Sequence, residues 1–173
     1  PGLIALFEEL AVPVVPSDMS FAVSVGPHRH EWCGSNLRTL LAQPSNALRP
    51  GFWRMLRDIL RFNREATALA QGGDAETLDR ALGEHLERAG YSADFRDAYL
   101  LPMAAAIWSC PMRTMLGFPL GSFVRFFHNH GLLQVADRPQ WYTVEGGSRQ
   151  YVDRVRARLD ELRLNCPVSA IRR

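Results

Sequence analysis

The feature that most constrains this chain is a pair of adjacent glycines, Gly146 and Gly147, set between two segments of different periodicity. Before them, Trp141-Tyr142-Thr143-Val144 alternates large and β-branched residues, the pattern of a short strand. After them, RQYVDRVRARL has the spacing of an amphipathic helix. Strand, glycine pair and helix together let a backbone come close to a ligand and aim a helix N-terminus at it. A tight turn that binds nothing is the plainer reading of the same residues. Upstream, from about Pro119 to His130, a helix carries Phe123, Phe126 and Phe127 together with His128, Asn129 and His130. Phe118 to Val152 is thus the organising stretch, and the earlier segments read as packing around it.

Those earlier segments are mostly helical. Residues 2–10 form a short amphipathic helix with Leu3, Leu6, Phe7 and Leu10 on one face, and AVPVV reads as an extended link. Phe21, Val23 and Val25 alternate as in a strand, with EWCGS as its hairpin partner and His28-Arg29-His30 at the tip. Asn36 to Leu41 suggests a helical turn. A helix from about Gly51 to Ala70 has the apolar stripe Phe52, Met55, Leu56, Ile59, Leu60, Asn63 and Ala66, with arginines outward. It resembles a basic amphipathic membrane or calmodulin-type helix. Core packing is the stronger reading, because Asp58 and Glu65 interrupt the positive face. Gly72-Gly73 ends this helix. Another follows from Thr77 to Ala89, with Leu78, Leu82 and Leu86 inward and Gly90 as its stop. Ser92 then caps ADFRDAYLLPMAAAIWS, in which Pro102 removes a backbone donor and predicts a kink or interruption between Tyr99 and Ala105.

Composition narrows the function classes. All 20 basic residues are arginine, so lysine Schiff-base chemistry is excluded within these residues. The net charge is only +2 and acids are interspersed with the arginines, which argues against a nucleic-acid partner. No apolar run approaches the ~20 residues that span a bilayer, so no integral membrane segment is expected. A cytoplasmic protein is expected. Cys33, Cys110 and Cys166 are odd in number and far apart, which predicts buried reduced thiols rather than a disulfide or zinc framework. His28 and His30 form an HxH pair, but without an acidic or thiol partner they read as solvated histidines, and no metal site is expected. His128 and His130 fall on different helix faces, two residues apart, so they cannot share one cavity or one metal. No nucleophile–base–acid set is legible, and Ser109, Ser122 and Ser148 lack a GxSxG setting. Catalytic residues therefore stay unassigned.

The stretches FEELAVPVVPSDMSF, FWRMLRDILRFNREA, YLLPMAAAIWS, FFHNHGLLQV and DRPQW, with GGSR, resemble a bacterial branch of the flavin-dependent amine oxidase-like, predicted NAD/FAD-binding proteins. The likeness covers nearly all of the 173 residues. Relatives begin with a strand, a GxGxxG turn and a helix that hold the FAD pyrophosphate. The chain has no such motif, and the resemblance implies an internal piece of a longer protein. It also implies a fold: α+β, mainly helical, with a small antiparallel sheet or hairpin over residues 19–35, which 141–144 could join. Residues 1–16 would edge the FAD domain, 17–145 would form the substrate domain, and 146–173 would return to the FAD domain as a glycine-pair helix and a strand.

On this likeness Gly146, Gly147 and Ser148 lie near the cofactor, and Val168 contacts its adenine end. Trp108, Phe126, Phe127 and His128 belong to the substrate cavity wall. Tyr142 departs from the pattern, standing where relatives are expected to carry arginine after the tryptophan, and residues 72–76 look like local variation. The implied activity is hydride transfer from a small or lipid-like substrate to FAD, with the parent protein an oxidoreductase. These residues alone would hold no FAD and would be inactive. They would self-associate through apolar surface such as Val152, Val155 and Leu159. The alternative is a non-catalytic helical interaction module, with the aromatic helix contacting a protein or lipid.

Overall fold

The computed structural model describes residues 2–18, 20–26, 30–33, 43–135 and 139–172, with the backbone alone for Val25 and His30. Expectations for His28, the His30 side chain and the turn at 36–41 lie outside the described residues. The described residues are mainly helical with two small antiparallel two-stranded sheets, an α+β organisation. It divides into two units, one built from residues 1–19 and 140–173, the other from residues 20–139.

The two-segment unit holds α1 (Gly2–Glu9), β1 (Val14–Ser17), β4 (Trp141–Val144) and α9 (Arg149–Arg156). β1 and β4 run antiparallel in the register Val14↔Val144 to Ser17↔Trp141. The strand at 141–144 therefore pairs with the AVPVV segment, not with the hairpin. Alternation marks a strand but not its partner, and pairing across this separation is invisible to local pattern. Pro16, opposite Tyr142, is tolerated because a two-stranded sheet has only edge strands. Ala11 turns left-handed (φ 50°) after α1, and Val12 N–H reaches back to the Phe7 carbonyl at 2.8 Å, a Schellman closure. Arg154 of α9 and Arg158, just past its end, complete that cap. Arg154 donates to the carbonyls of Leu10 (2.9 Å) and Ala11, and Arg158 to the Glu9 carbonyl at 2.7 Å. Phe7 packs on Tyr151 at 5.4 Å between centroids, but Leu3, Ile4 and Leu6 stay exposed. Residues 160–172 form no strand, so the one expected around Val168 is absent there. An extended segment becomes a strand only with a neighbour's backbone to bond, and this one has no partner among the described residues.

The helical unit begins with the hairpin β2 (Ala22–Val25) and β3 (His30–Cys33), in which Val23 and Trp32 face each other and are both buried. A 3₁₀ turn (Pro44–Leu48) leads to α2 (Pro50–Gly72). Its buried face is Phe52, Met55, Phe62 and Ala66, together with the polar Asp58 and Asn63. This face is rotated from the expected stripe: Leu60 is exposed, because a helix that buries Phe62 turns the residue two earlier about 200° away. Asp58 is buried by design of its partners. Its Oδ2 accepts the Ser92 N–H at 3.0 Å and its Oδ1 lies 3.4 Å from the Arg57 guanidinium.

The helix expected over 77–89 is broken into α3 (Ala75–Asp79) and α4 (Leu82–Arg88). The break comes from elsewhere in the chain. Arg80 and Ala81 are extended and pair with the segment at Pro119, with Leu120 N–H on the Arg80 carbonyl (2.9 Å) and Leu82 N–H on the Phe118 carbonyl (2.8 Å). Asp74 caps α3 through the Thr77 N–H at 2.8 Å. Ser92 caps α5 (Ala93–Phe95) as expected, accepting from the Phe95 N–H at 3.3 Å. A π-helical segment, Arg96–Leu100, joins α5 to α6 (Leu101–Trp108). The interruption expected at Pro102 thus takes the form of a widened turn just before it, in which the Leu101 N–H bonds the Arg96 carbonyl. α7 (Met112–Met115) and α8 (Leu120–Asn129) follow, and Phe62, Phe95, Leu100, Leu120, Phe123 and Phe127 form the core. Cys33 and Cys110 are half-buried and Cys166 is exposed, so the thiols are less enclosed than expected. Cys166 is exposed because the stretch that carries it has no layer above it.

Candidate functional site

In the two-segment unit the glycine pair closes the step from β4 to α9. Gly147 N–H bonds the Val144 carbonyl at 3.0 Å, which makes residues 144–147 a β-turn with Gly146 (φ 76°) at its third position. Gly147 follows at φ 87°. L side chains rarely adopt either conformation, which is why glycine stands at both. A Cβ on Gly146 would press on Gln150 at 3.2 Å, whereas one on Gly147 would meet nothing within 4 Å. Backbone conformation alone therefore selects glycine at 147, and the space over it is open. Ser148 precedes α9 with helical φ and ψ, and its side chain caps no N–H. Val168 is 78% exposed, within the stretch that has no regular structure. Of the four predicted cofactor residues, two lie in one turn and Ser148 follows it directly, while the fourth stands apart in sequence and in element.

In the helical unit three of the predicted cavity residues, Trp108, Phe126 and Phe127, come together. Trp108 lies 4.6 Å from Phe126, 5.7 Å from Phe123 and 6.2 Å from Phe127, and the Phe123 and Phe127 rings stack at 4.2 Å. α6 supplies Trp108 and α8 the phenylalanines at helical spacing, so the rings meet because the two helices pack. Phe127 is fully buried, and Trp108, Phe126 and His128 are half-buried. His130, exposed, stacks on Phe126 at 4.0 Å and donates from Nδ1 to the Phe126 carbonyl at 2.9 Å.

A polar network that sequence reasoning missed sits beside this core. Tyr91 donates to Glu65 Oε2 at 2.5 Å, and Arg61 donates to Glu65 Oε1 at 2.9 Å and to the Ala89 carbonyl at 2.6 Å. The same guanidinium stands 4.4 Å over the Tyr91 ring. Burial and the Glu65 carboxylate push the Tyr91 phenol far above its ordinary value of 10.0. Burial also tends to raise Glu65, but the Tyr91 and Arg61 hydrogen bonds outweigh it and hold the carboxyl below 4.5. His85, half-buried nearby, is held below 6.5 by its desolvation. The only sequence signal was the i,i+4 pair Arg61–Glu65. A phenol locked on a carboxylate and a guanidinium bound to a carbonyl fasten α2 to the end of α4. With its donors and acceptors mutually engaged, the cluster offers no poised base.

Among the described residues no three His, Cys, Asp or Glu side chains gather as metal ligands. No described helix is long and apolar enough to cross a membrane. The chain matches no protein-family model and no curated protein.

Proposed function

We propose that this chain is part of an FAD-dependent oxidoreductase of the amine oxidase-like kind, moving hydride from a small or lipid-like substrate to the flavin. The observation that supports this best is the turn at Gly146-Gly147. It combines two positive-φ glycines, open space over Gly147 and the start of α9, in a unit made of two segments that precede and follow the helical unit in the sequence. That division suits a cofactor domain interrupted by a substrate domain, with Trp108, Phe126, Phe127 and His128 on the substrate side. The residues present fit a share of the cofactor. The glycine backbone can approach it, and Ser148 with the first N–H groups of α9 would face its polar part. The flavin, when bound, supplies the hydride acceptor, and the protein supplies orientation and a dry, apolar wall.

The reading as an interaction module with the aromatic helix as its contact surface has less support, because Phe123 and Phe127 face the unit's own core. Protein made from the complete gene and purified without added flavin tests the proposal. A yellow protein with the visible band of oxidised flavin is expected, with less flavin retained by Gly147→Val. Colourless protein that takes up no FAD on titration overturns it.

A further inference from the structure

The outward face of α2 gathers exposed apolar and basic side chains. Trp53, Arg57, Leu60 and Arg64 fall at i, i+4, i+7 and i+11, one stripe of the helix. Trp53 and Leu60 are 54% and 56% exposed, and Leu48, in the turn leading into α2, is 87% exposed. Trp53 Nε1 donates to the Ala47 carbonyl at 2.8 Å, which holds the indole against that turn. The Arg57 side chain is 72% exposed, and Arg64 is exposed too. In the sequence, Asp58 and Glu65 were the reason to discount a basic face. In the structure the Asp58 side chain is buried, accepting the Ser92 N–H and lying 3.4 Å from the still largely exposed Arg57, and Glu65 is held by Tyr91 and Arg61. No acid of α2 falls within the stripe.

We propose that this face of α2 docks on an anionic lipid bilayer. The helix lies along the surface with Trp53, Leu60 and Leu48 among the headgroups and Arg57 and Arg64 on their phosphates. The shape argues for lipid. A groove that engulfs a helix needs most of its circumference, and the opposite face of α2 is packed into the core through Phe52, Met55, Phe62 and Ala66. What remains is a ridge, which a soft interface accepts. Charge argues against a second copy, since a self-complementary contact would set these arginines against the same arginines. The inference does not depend on the flavin reading.

The test is co-sedimentation with phosphatidylcholine vesicles, with and without about one third phosphatidylserine. Sedimentation with the anionic vesicles only, weakened by salt, is the expected result. Arg57→Gln and Arg64→Gln should each lower partitioning roughly fivefold. Leu60→Ser should lower it further with the circular dichroism spectrum unchanged. No association with anionic vesicles, or association unaltered in the triple variant, overturns the proposal. So does a concentration-dependent dimer in sedimentation velocity that the triple variant dissolves, or capture of this face by an acidic peptide without vesicle binding.

Discussion

Trp32 donates its indole N–H to the carbonyl of Ala98 at 3.2 Å, and that carbonyl is the one Pro102, four residues on, cannot bond. The hairpin thus repairs the helix. Pro102 has no N–H to return to Ala98, and the helix widens into a π-turn over Arg96–Leu100 as it passes. Trp32 is buried and stacks on Tyr99 at 5.4 Å, so the ring is held in place for the bond.

Trp32→Phe should therefore cost about 1–3 kcal/mol, since it leaves a buried carbonyl without a donor. Pro102→Ala restores a backbone N–H four residues beyond Ala98. In that background the Trp32→Phe loss should shrink by about 1 kcal/mol. Urea unfolding of the four proteins measures the coupling. Strictly additive losses would show that Trp32 contributes by packing alone.

The buried carboxylate of Asp58 gives a pH dependence. Burial pushes it up, but the Ser92 hydrogen bonds and Arg57 prevail and hold it below 3.8. A carboxyl depressed in the folded state contributes stability that is fully present above its unfolded value. That contribution is lost as pH falls through the folded one. Unfolding free energy should hence fall as pH drops through 3.8 and below, and Asp58→Asn should flatten that limb. At neutral pH the variant should be less stable by about 1.5–3 kcal/mol. An acid limb of unchanged slope would assign the dependence to other carboxyls.

What was legible in the sequence is what neighbours in the chain decide. The hairpin, the strand at 141–144, the glycine pair, the helix after it and the Ser92 cap all rest on periods and caps within a few residues. Partners from afar decided the rest. β1 is a strand because β4 lies beside it, and α3 and α4 separate because the backbone near Pro119 bonds Arg80 and Leu82. Counting apolar residues on α2 put Leu60 inward, but the larger Phe62 won the core, and Asp58 came with it. The glycine turn was readable for the same local reason. The Tyr91 network was not, because nothing in the spacing joins residue 91 to Glu65.

Tyr91 should resist ionisation. Its phenol is held on Glu65 and is pushed well above the ordinary 10.0, while Tyr142 is exposed. In an alkaline absorbance titration of folded protein, Tyr91→Phe should leave the first tyrosinate phase unchanged and reduce only the late one. The variant should lose about 1.5 kcal/mol, the worth of a hydrogen bond to a charged group. A smaller first phase in Tyr91→Phe would mean the phenol is not locked.

Two substitutions in the two-segment unit should act in opposite directions for one reason. Ala11 has φ 50° and Gly147 has φ 87°, conformations in which a Cβ crowds its own backbone. Ala11→Gly relieves that crowding at the end of α1, where the Schellman bonds and the Arg154 contacts already require the left-handed turn. Glycine also frees the unfolded chain, which offsets part of the gain, so a net stabilisation of about 0.5 kcal/mol is expected. Gly147→Ala introduces the same strain and stiffens the unfolded chain. A Cβ there meets no neighbour within 4 Å, so no packing clash adds to the loss, which should be about 1 kcal/mol. Thermal unfolding of both single variants and of the pair decides the matter. The pair should recover about half of the Gly147→Ala loss. Ala11→Gly lowering the midpoint would mean that Arg154 and Arg158 hold the turn against its own preference, with the methyl group taking part.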